Sequence, residues 1–196
     1  FSFYGNKIIT CGEGGMVVTD SKALAERCRR LKNLSFREPR RFWHEEIGFN
    51  YRMTNMQAAL GLAQSERIEE LINRRRRNAA LYSALLSGVE GLTLPVERPD
   101  VKNVFWMYGI LVGKDFGVSR NDLMKRLEQK GIETRTFFIP LHNQPFLGKK
   151  YSAVKERFPV AEDIARRGLY LPSGSGLKKE EIEYVCDCIK KIKGAA

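Results

Sequence analysis

Strand-like and helix-like segments alternate through the second half of this 196-residue chain, and that alternation constrains its fold more than any other feature. Residues 104–112, VFWMYGILV, read as a strand. Ser119 and Asp122 are spaced as a capping box, opening a helix that keeps Leu123 and Leu127 inside and closes at Gly131. Residues 132–139, IETRTFFI, are rich in β-branched and aromatic side chains and predict a second strand. The proline-bounded loop PLHNQP follows, then a helix near 160–167 and a short strand, LYLP. A last helix sets Ile182, Val185, Cys186, Ile189 and Ile192 on one face. Such a series predicts a compact α/β domain.

The first half reads differently. Residues 16–19 predict a short buried strand, and Asp20 or Ser21 can cap a helix with Leu24, Cys28 and Leu31 inward. Residues 35–53 have no sustained period and carry Pro39 and Gly48, which predicts a long loop. Phe36, Phe42, Trp43 and Phe49 argue that this loop is ordered. Thr54 and Gln57 form a capping box. A single long helix is expected from there to Gly88, its apolar spacing interrupted at Arg75. A helix of that length joins two lobes, so the expected domains are 1–88 and 89–196, with the boundary at 88–91.

The net charge is +11, which invites a nucleic-acid reading. The basic residues are dispersed, however, and the run Arg74–Arg77 shares its helix with Glu66, Glu69 and Glu70. No nucleic-acid-binding motif accompanies them, so the expectation is no nucleic acid but an anionic small molecule. No stretch of 18 apolar residues occurs, which argues against a membrane span. Cys11, Cys28, Cys186 and Cys188 show neither a CxxC pair nor a disulfide framework, and there are two histidines. Reduced thiols, a cytoplasmic location and no metal are expected.

The segment that carries chemistry is the first, FSFYGNKIITCGEGGMVVTD. Ser2 lies five residues before Lys7, and three glycines follow in CGEGG. Hydroxyl and amide donors suit a phosphate, and a lysine held beside one by rigid backbone suits attack on a carbonyl. The residues permit this reading without compelling it, since GEGG also suits a hairpin turn.

SFYGNKIITCGEGGMVVT resembles the cofactor-lysine segment of the DegT/DnrJ/EryC1/StrS family of pyridoxal-phosphate-dependent sugar aminotransferases. GFNYRMTNMQAALGLAQ (48–64), IETRTFFIPLH (132–142) and RGLYLPS (167–173) continue the resemblance in order along the chain. It implies transferase fold type I, aspartate aminotransferase-like: the C-terminal part of a large domain, then a small C-terminal α/β domain. It implies pyridoxal 5′-phosphate as cofactor, a nucleotide-sugar substrate, an amino-acid donor and a homodimer with shared active sites. The spelling RRFWHEEIGFNYRMTN is similar to members acting on a GDP-linked 4-keto-6-deoxymannose, with UDP- or TDP-linked ketosugars as the alternative.

By the same resemblance, Lys7 matches the lysine linked to the cofactor aldehyde, and Ser2 the hydroxyl on its phosphate. Asn50 matches an asparagine reaching the phosphate of the neighbouring subunit's cofactor. Arg52 either assists with anionic groups or orients its loop, and Glu13 is a turn residue beside the site. Cys11 stands where the family pattern has threonine. Arg135 and His142 fall in a substrate-facing segment. Trp43 and His44 either line the same cleft or, for Trp43, pack the loop onto the protein. The retained lysine separates the chain from dehydratase relatives that carry histidine there. The family's ring-stacking aromatic and pyridine-pairing carboxylate lie upstream of the lysine, so the expectation is the second half of an enzyme, a truncated non-catalytic relative being the alternative.

Overall fold

The computed structural model describes residues 1–150 and 157–195, which divide into two compact units, Phe1–Glu69 and Glu70–Ala196. In the first unit, α1 (Lys22–Lys32) is capped by Ser21, whose side chain accepts the Leu24 N–H at 3.3 Å. Helix α2 (Asn55–Ser65) opens on the expected capping box: Gln57 N–H reaches the Thr54 hydroxyl at 3.2 Å, and Gln57 Oε1 accepts the Thr54 N–H at 2.9 Å. Residues 36–48 form a loop without helix or strand, as their lack of period predicts.

Two expectations change here. Residues 16–19 are not a buried strand; Val17 and Val18 are 70% and 65% exposed. A strand is completed by a neighbour that accepts its ladder, and within this unit the segment pairs at its start, where Met16 exchanges backbone hydrogen bonds with Phe1. The expected single helix from Thr54 to Gly88 is two helices, α2 and α3 (Ile68–Leu86). The Glu66 N–H bonds to Leu62 O at 3.0 Å and the Arg67 N–H to Gln64 O at 3.1 Å, a tightened turn that ends the first helix without glycine or proline. The division of the chain accordingly falls at Glu69, not at 88–91. The reason is packing: Ala79, Tyr82 and Leu86 of α3 are buried in the core of the second unit.

That second unit is built on a four-stranded antiparallel sheet of order β1-β2-β4-β3. Its strands are β1 (Leu92–Thr93), β2 (Tyr108–Val112), β3 (Arg135–Thr136) and β4 (Gly168–Leu171). Gly109 faces Tyr170 and Leu111 faces Gly168 across β2 and β4. Tyr108, Ile110 and Val112 alternate into one face, where they meet α3, α4 (Arg120–Glu128) and α7 (Lys179–Gly194). Leu123, Leu127, Ile182, Val185, Cys186, Ile189 and Ile192 are buried there as their spacing predicts. Two shorter helices, α5 (Pro145–Lys150) and α6 (Pro159–Arg167), precede β4.

β2 begins four residues later than expected because Phe105 takes a left-handed backbone, φ 46°, rare for a bulky residue, and interrupts the extended run. β3 is two residues rather than eight, since it is an edge strand pairing only with Tyr170 and Leu169 of the short β4. At α4 the Ser119 hydroxyl accepts the Asp122 N–H at 3.1 Å, but the Asp122 carboxylate takes the hydroxyl proton at 2.6 Å instead of reaching back to the backbone. Asp is one methylene shorter than the Glu of a capping box.

The break in apolar spacing at Arg75 is explained by a row of donors. The Tyr82 hydroxyl donates to Pro172 O at 2.9 Å, Asn78 Nδ2 to Gly174 O at 3.0 Å and Arg75 Nε to Ser175 Oγ at 2.9 Å; Arg75 Nη1 also reaches Trp106 O at 2.9 Å and Ser173 O. Polar side chains on this face of α3 therefore satisfy the loop after β4, where unpaired carbonyls are costly. All four cysteines are free thiols, and burial pushes that of Cys186 up to about 12.

Candidate active site

The Ser2–Lys7 segment is a tight ribbon folded back on itself. The Phe3 N–H donates to Gly14 O at 2.9 Å, the Cys11 N–H to Phe3 O at 2.9 Å and the Met16 N–H to Phe1 O at 3.0 Å. The two strands of the ribbon approach so closely that a Cβ on Gly15 would lie 2.9 Å from Phe1 O, so glycine is required there. Gly12 and Gly14 both have positive φ, 80° and 131°, which lets the GEGG turn close. Lys7 sits in the bend, its N–H donating to Tyr4 O at 3.0 Å, and is half-buried. The Ser2 hydroxyl accepts the Tyr4 N–H at 3.5 Å and is exposed. Glu13 is exposed at the turn.

What fixes the ribbon is a residue that spacing alone did not single out. Gln64 of α2 clamps Thr10 in both directions: its Oε1 accepts the Thr10 N–H at 3.1 Å, and its Nε2 donates to Thr10 O at 2.7 Å. The Thr10 hydroxyl donates to Phe3 O and accepts the Gly12 N–H, each at 2.9 Å. Cys11 is buried against α2, where a Cβ on Gly61 would lie 2.6 Å from its sulfur. Cys11 in place of threonine thus serves packing. The signal for Gln64 was its place at the end of GFNYRMTNMQAALGLAQ.

Asn50 and Arg52 come together at the end of α1. The Phe49 N–H donates to Leu31 O at 2.7 Å and the Tyr51 N–H to Lys32 O at 2.9 Å, and Asn50 bridges Asn33. Arg52 donates from Nε to Asn50 Oδ1 at 2.8 Å and from Nη1 to Asn33 Oδ1 at 3.0 Å. These two bonds join Arg52 to Asn50 and to the end of α1. Trp43 does not pack its loop onto the unit: it is 62% exposed, with the Arg40 guanidinium 5.8 Å from its ring. His44 is exposed as well, its ring 5.3 Å from that of Phe36.

In the second unit, Arg135 is exposed on β3 with its guanidinium 4.8 Å from the Phe138 ring. His142 is engaged: Nε2 lies 3.2 Å from Glu162 Oε1 and its ring 4.9 Å from that of Phe158. The Arg157 guanidinium, and then the His142 ring, hold the Glu162 carboxyl below its usual range. His142 therefore fastens the PLHNQP loop to α6, a role the sequence left level with substrate contact. Among the described residues no three His, Cys, Asp or Glu side chains are placed to hold a metal, and no helix is long and apolar enough to cross a membrane.

Comparison with known proteins accounts for this arrangement. The chain is 40% identical over 97% of its length to GDP-perosamine synthase of Vibrio cholerae, and 41% identical over 98% to that of Escherichia coli O157:H7. These alignments cover 51% and 50% of the two relatives, so the chain spans about half the length of the curated proteins it matches. Among solved structures, Streptomyces venezuelae DesV in complex with a ketimine intermediate superposes with a TM-score of 0.86 at 33% identity, covering 98% of this chain and 50% of that one. DesI in the presence of its TDP-sugar product gives 0.87 at 30% identity, covering 98% and 48%. The fold is therefore α/β of transferase fold type I, as the resemblance implied. The profile of the DegT/DnrJ/EryC1/StrS aminotransferase family matches residues 1–190, and the chain belongs to that family.

Proposed function

We propose that the protein carrying this chain is a pyridoxal-phosphate-dependent aminotransferase of nucleotide-linked 4-keto-6-deoxysugars. GDP-4-keto-6-deoxymannose is the favoured acceptor, glutamate the favoured donor, the assembly a homodimer and the location cytoplasmic. The observation that carries this is the ribbon of Ser2 and Lys7, locked by Gln64, in a chain about 40% identical to two GDP-perosamine synthases. The dTDP-linked acceptor remains the second reading, favoured by 34% identity to dTDP-3-amino-3,4,6-trideoxy-alpha-D-glucose transaminase of Streptomyces venezuelae.

The residues present fit the cofactor at two of its ends. An exposed hydroxyl at Ser2 and a backbone kept bare at Gly15 suit a phosphate. A half-buried lysine in the adjoining bend suits the aldehyde. When bound, pyridoxal phosphate supplies that aldehyde and a ring able to accommodate the electron pair released at the substrate carbon. Lys7 then has two tasks: its amine holds the cofactor until a donor arrives, and afterwards it moves the proton at the substrate carbon. The Gln64–Thr10 clamp aims it, since a displaced base loses rate steeply.

Borohydride reduction of the full-family-length protein should fix the cofactor to the peptide carrying Lys7. Labelling of another peptide, or none, would remove Lys7 from this role.

A further inference from the structure

At the end of the sheet, where β4 runs out into its loop, lies a cavity of about 280 Å³. Met107, Glu133, Thr134, Arg135, Tyr170 and Ser173 are among its lining residues, all within the second unit. Its walls are fixed from behind by α3. Arg75 Nη1 binds both Trp106 O, at 2.9 Å, and Ser173 O, and the Tyr82 hydroxyl binds Pro172 O at 2.9 Å. The Tyr170 ring is held by Phe137, stacked on it with centroids 4.3 Å apart. Phe137 in turn lies over Gly109 and Gly168, where an added Cβ would come within 2.6 Å and 2.1 Å of its ring. The cavity is therefore built before anything enters it.

The groups it offers are opposite in charge and uncommitted. Arg135 faces Tyr170 across β3 and β4. Its guanidinium rests on the Phe138 ring at 4.8 Å, with no carboxylate in ion-pair distance among the described residues. The carboxylate of Glu133, two residues earlier, has no hydrogen-bond or ion-pair partner among the described residues. The Thr134 hydroxyl between them is buried without a partner, an orphan that an accepting occupant would complete.

An occupant complementary to this cavity carries both charges. A phosphate or nucleotide would set its charge against Glu133, and a simple amine would set its own against Arg135. The volume is that of roughly nine waters at about 30 Å³ each, the scale of a small zwitterion. Guanidinium takes a carboxylate in a bidentate fork, and a carboxylate accepts from an ammonium, which offers three donors.

We propose that this cavity is a binding site for a free α-amino acid, its carboxylate on Arg135 and its ammonium on Glu133. It holds the molecule without reacting with it. A nitrogen kept as ammonium has no lone pair to offer, whereas an amino donor must present a free amine to a carbonyl. An amino acid here is bound as a ligand rather than consumed as donor.

The test is calorimetric titration of the borohydride-treated, full-family-length protein with L-alanine, N-acetyl-L-alanine and L-alaninamide. Reduction turns any imine at Lys7 into a secondary amine that an amino acid cannot displace, which silences binding there. Alanine should bind about tenfold or more tightly than either analogue, since each lacks one charged hydrogen-bonding end. Arg135→Gln should bring alanine and alaninamide within about threefold of each other, and Glu133→Gln should do the same for alanine and N-acetylalanine. Each variant thus loses one discrimination and keeps the other, a pattern that general misfolding does not produce. Equal affinity for the three ligands, alanine binding that disappears on borohydride treatment, no binding, or variants that keep both discriminations each overturns the proposal. The unaltered protein alone decides the ligand class, so no variant need fold. The aminotransferase reading is tested separately by labelling of Lys7 and is untouched by either result.

Discussion

Mixing two nearly inactive variants of the full-family-length protein, Lys7→Ala and Asn50→Asp, should restore about a quarter of wild-type activity once subunits exchange. Lys7→Ala removes the amine that holds the cofactor and moves the proton, a loss on the scale of a missing catalytic base or nucleophile, about a thousandfold or more. Asn50→Asp sets a negative charge where, by the proposed reading, the partner subunit's cofactor phosphate lies. The substitution is well placed because Asn50 uses its Oδ1 as an acceptor for Arg52 Nε. An aspartate accepts the same bond, so the loop against the end of α1 is kept and the added charge is what is measured. In an equal mixture about half of the two-fold dimers carry one variant of each kind. Each of these has one site with both lesions and one with neither. If Asn50 served the site of its own chain, every site would carry a lesion and nothing would recover, which would sink the shared-site proposal given proven exchange.

Gly91→Ala should destabilise the protein by about 3 kcal/mol, the sum of two costs. Gly91 has φ 77°, where a side chain costs roughly 1–2 kcal/mol. An added Cβ would also run into the backbone of Phe116, which is buried in the core and cannot yield as a flexible side chain could. Overpacking of this kind adds about 1–3 kcal/mol. Gly88→Ala is the control: its φ of 75° is nearly the same, but its Cβ would meet nothing within 4 Å. It should lose only the conformational part, about 1 kcal/mol. In thermal unfolding this corresponds to a fall in Tm of about 6–12 °C for Gly91→Ala and about 2–4 °C for Gly88→Ala. Equal shifts would mean that the Phe116 backbone moves aside.

Ionisation does little to distinguish the two units. The carboxyls held below their usual range, Glu46, Glu97, Glu162 and Asp163, each owe it first to an arginine, and all lie at the surface. Their pairs weaken as pH falls toward the carboxylate range, a small effect for solvent-screened charges. In the core burial acts instead: it raises the Tyr82 hydroxyl, which stays neutral and donates to Pro172 O throughout the physiological range.

Short-range patterns were legible in the sequence because they are written within a few residues. The capping box of Thr54 and Gln57, the Ser21 cap of α1, and the inward faces of α4 and α7 follow from hydrogen-bonding groups and apolar spacing that the chain carries locally. The family, and with it the expectation for Lys7, Ser2 and Asn50, was legible for a different reason, since four ordered motifs span the chain. Tertiary structure alone decided the rest. Nothing near residues 65–67 announces that the helix breaks, because the break contains neither glycine nor proline. Phe105 stops a strand that its own residue type favours, and the edge position of β3 leaves two of eight expected residues paired. Trp43 could be read as packing until its exposure was known, and only the fold sets Glu162 beside His142. The Gln64–Thr10 clamp and the pairing of Glu46 with Arg27 join residues 54 and 19 positions apart. Periodicity records which face a residue occupies; which partner waits on that face is settled only when the chain has folded.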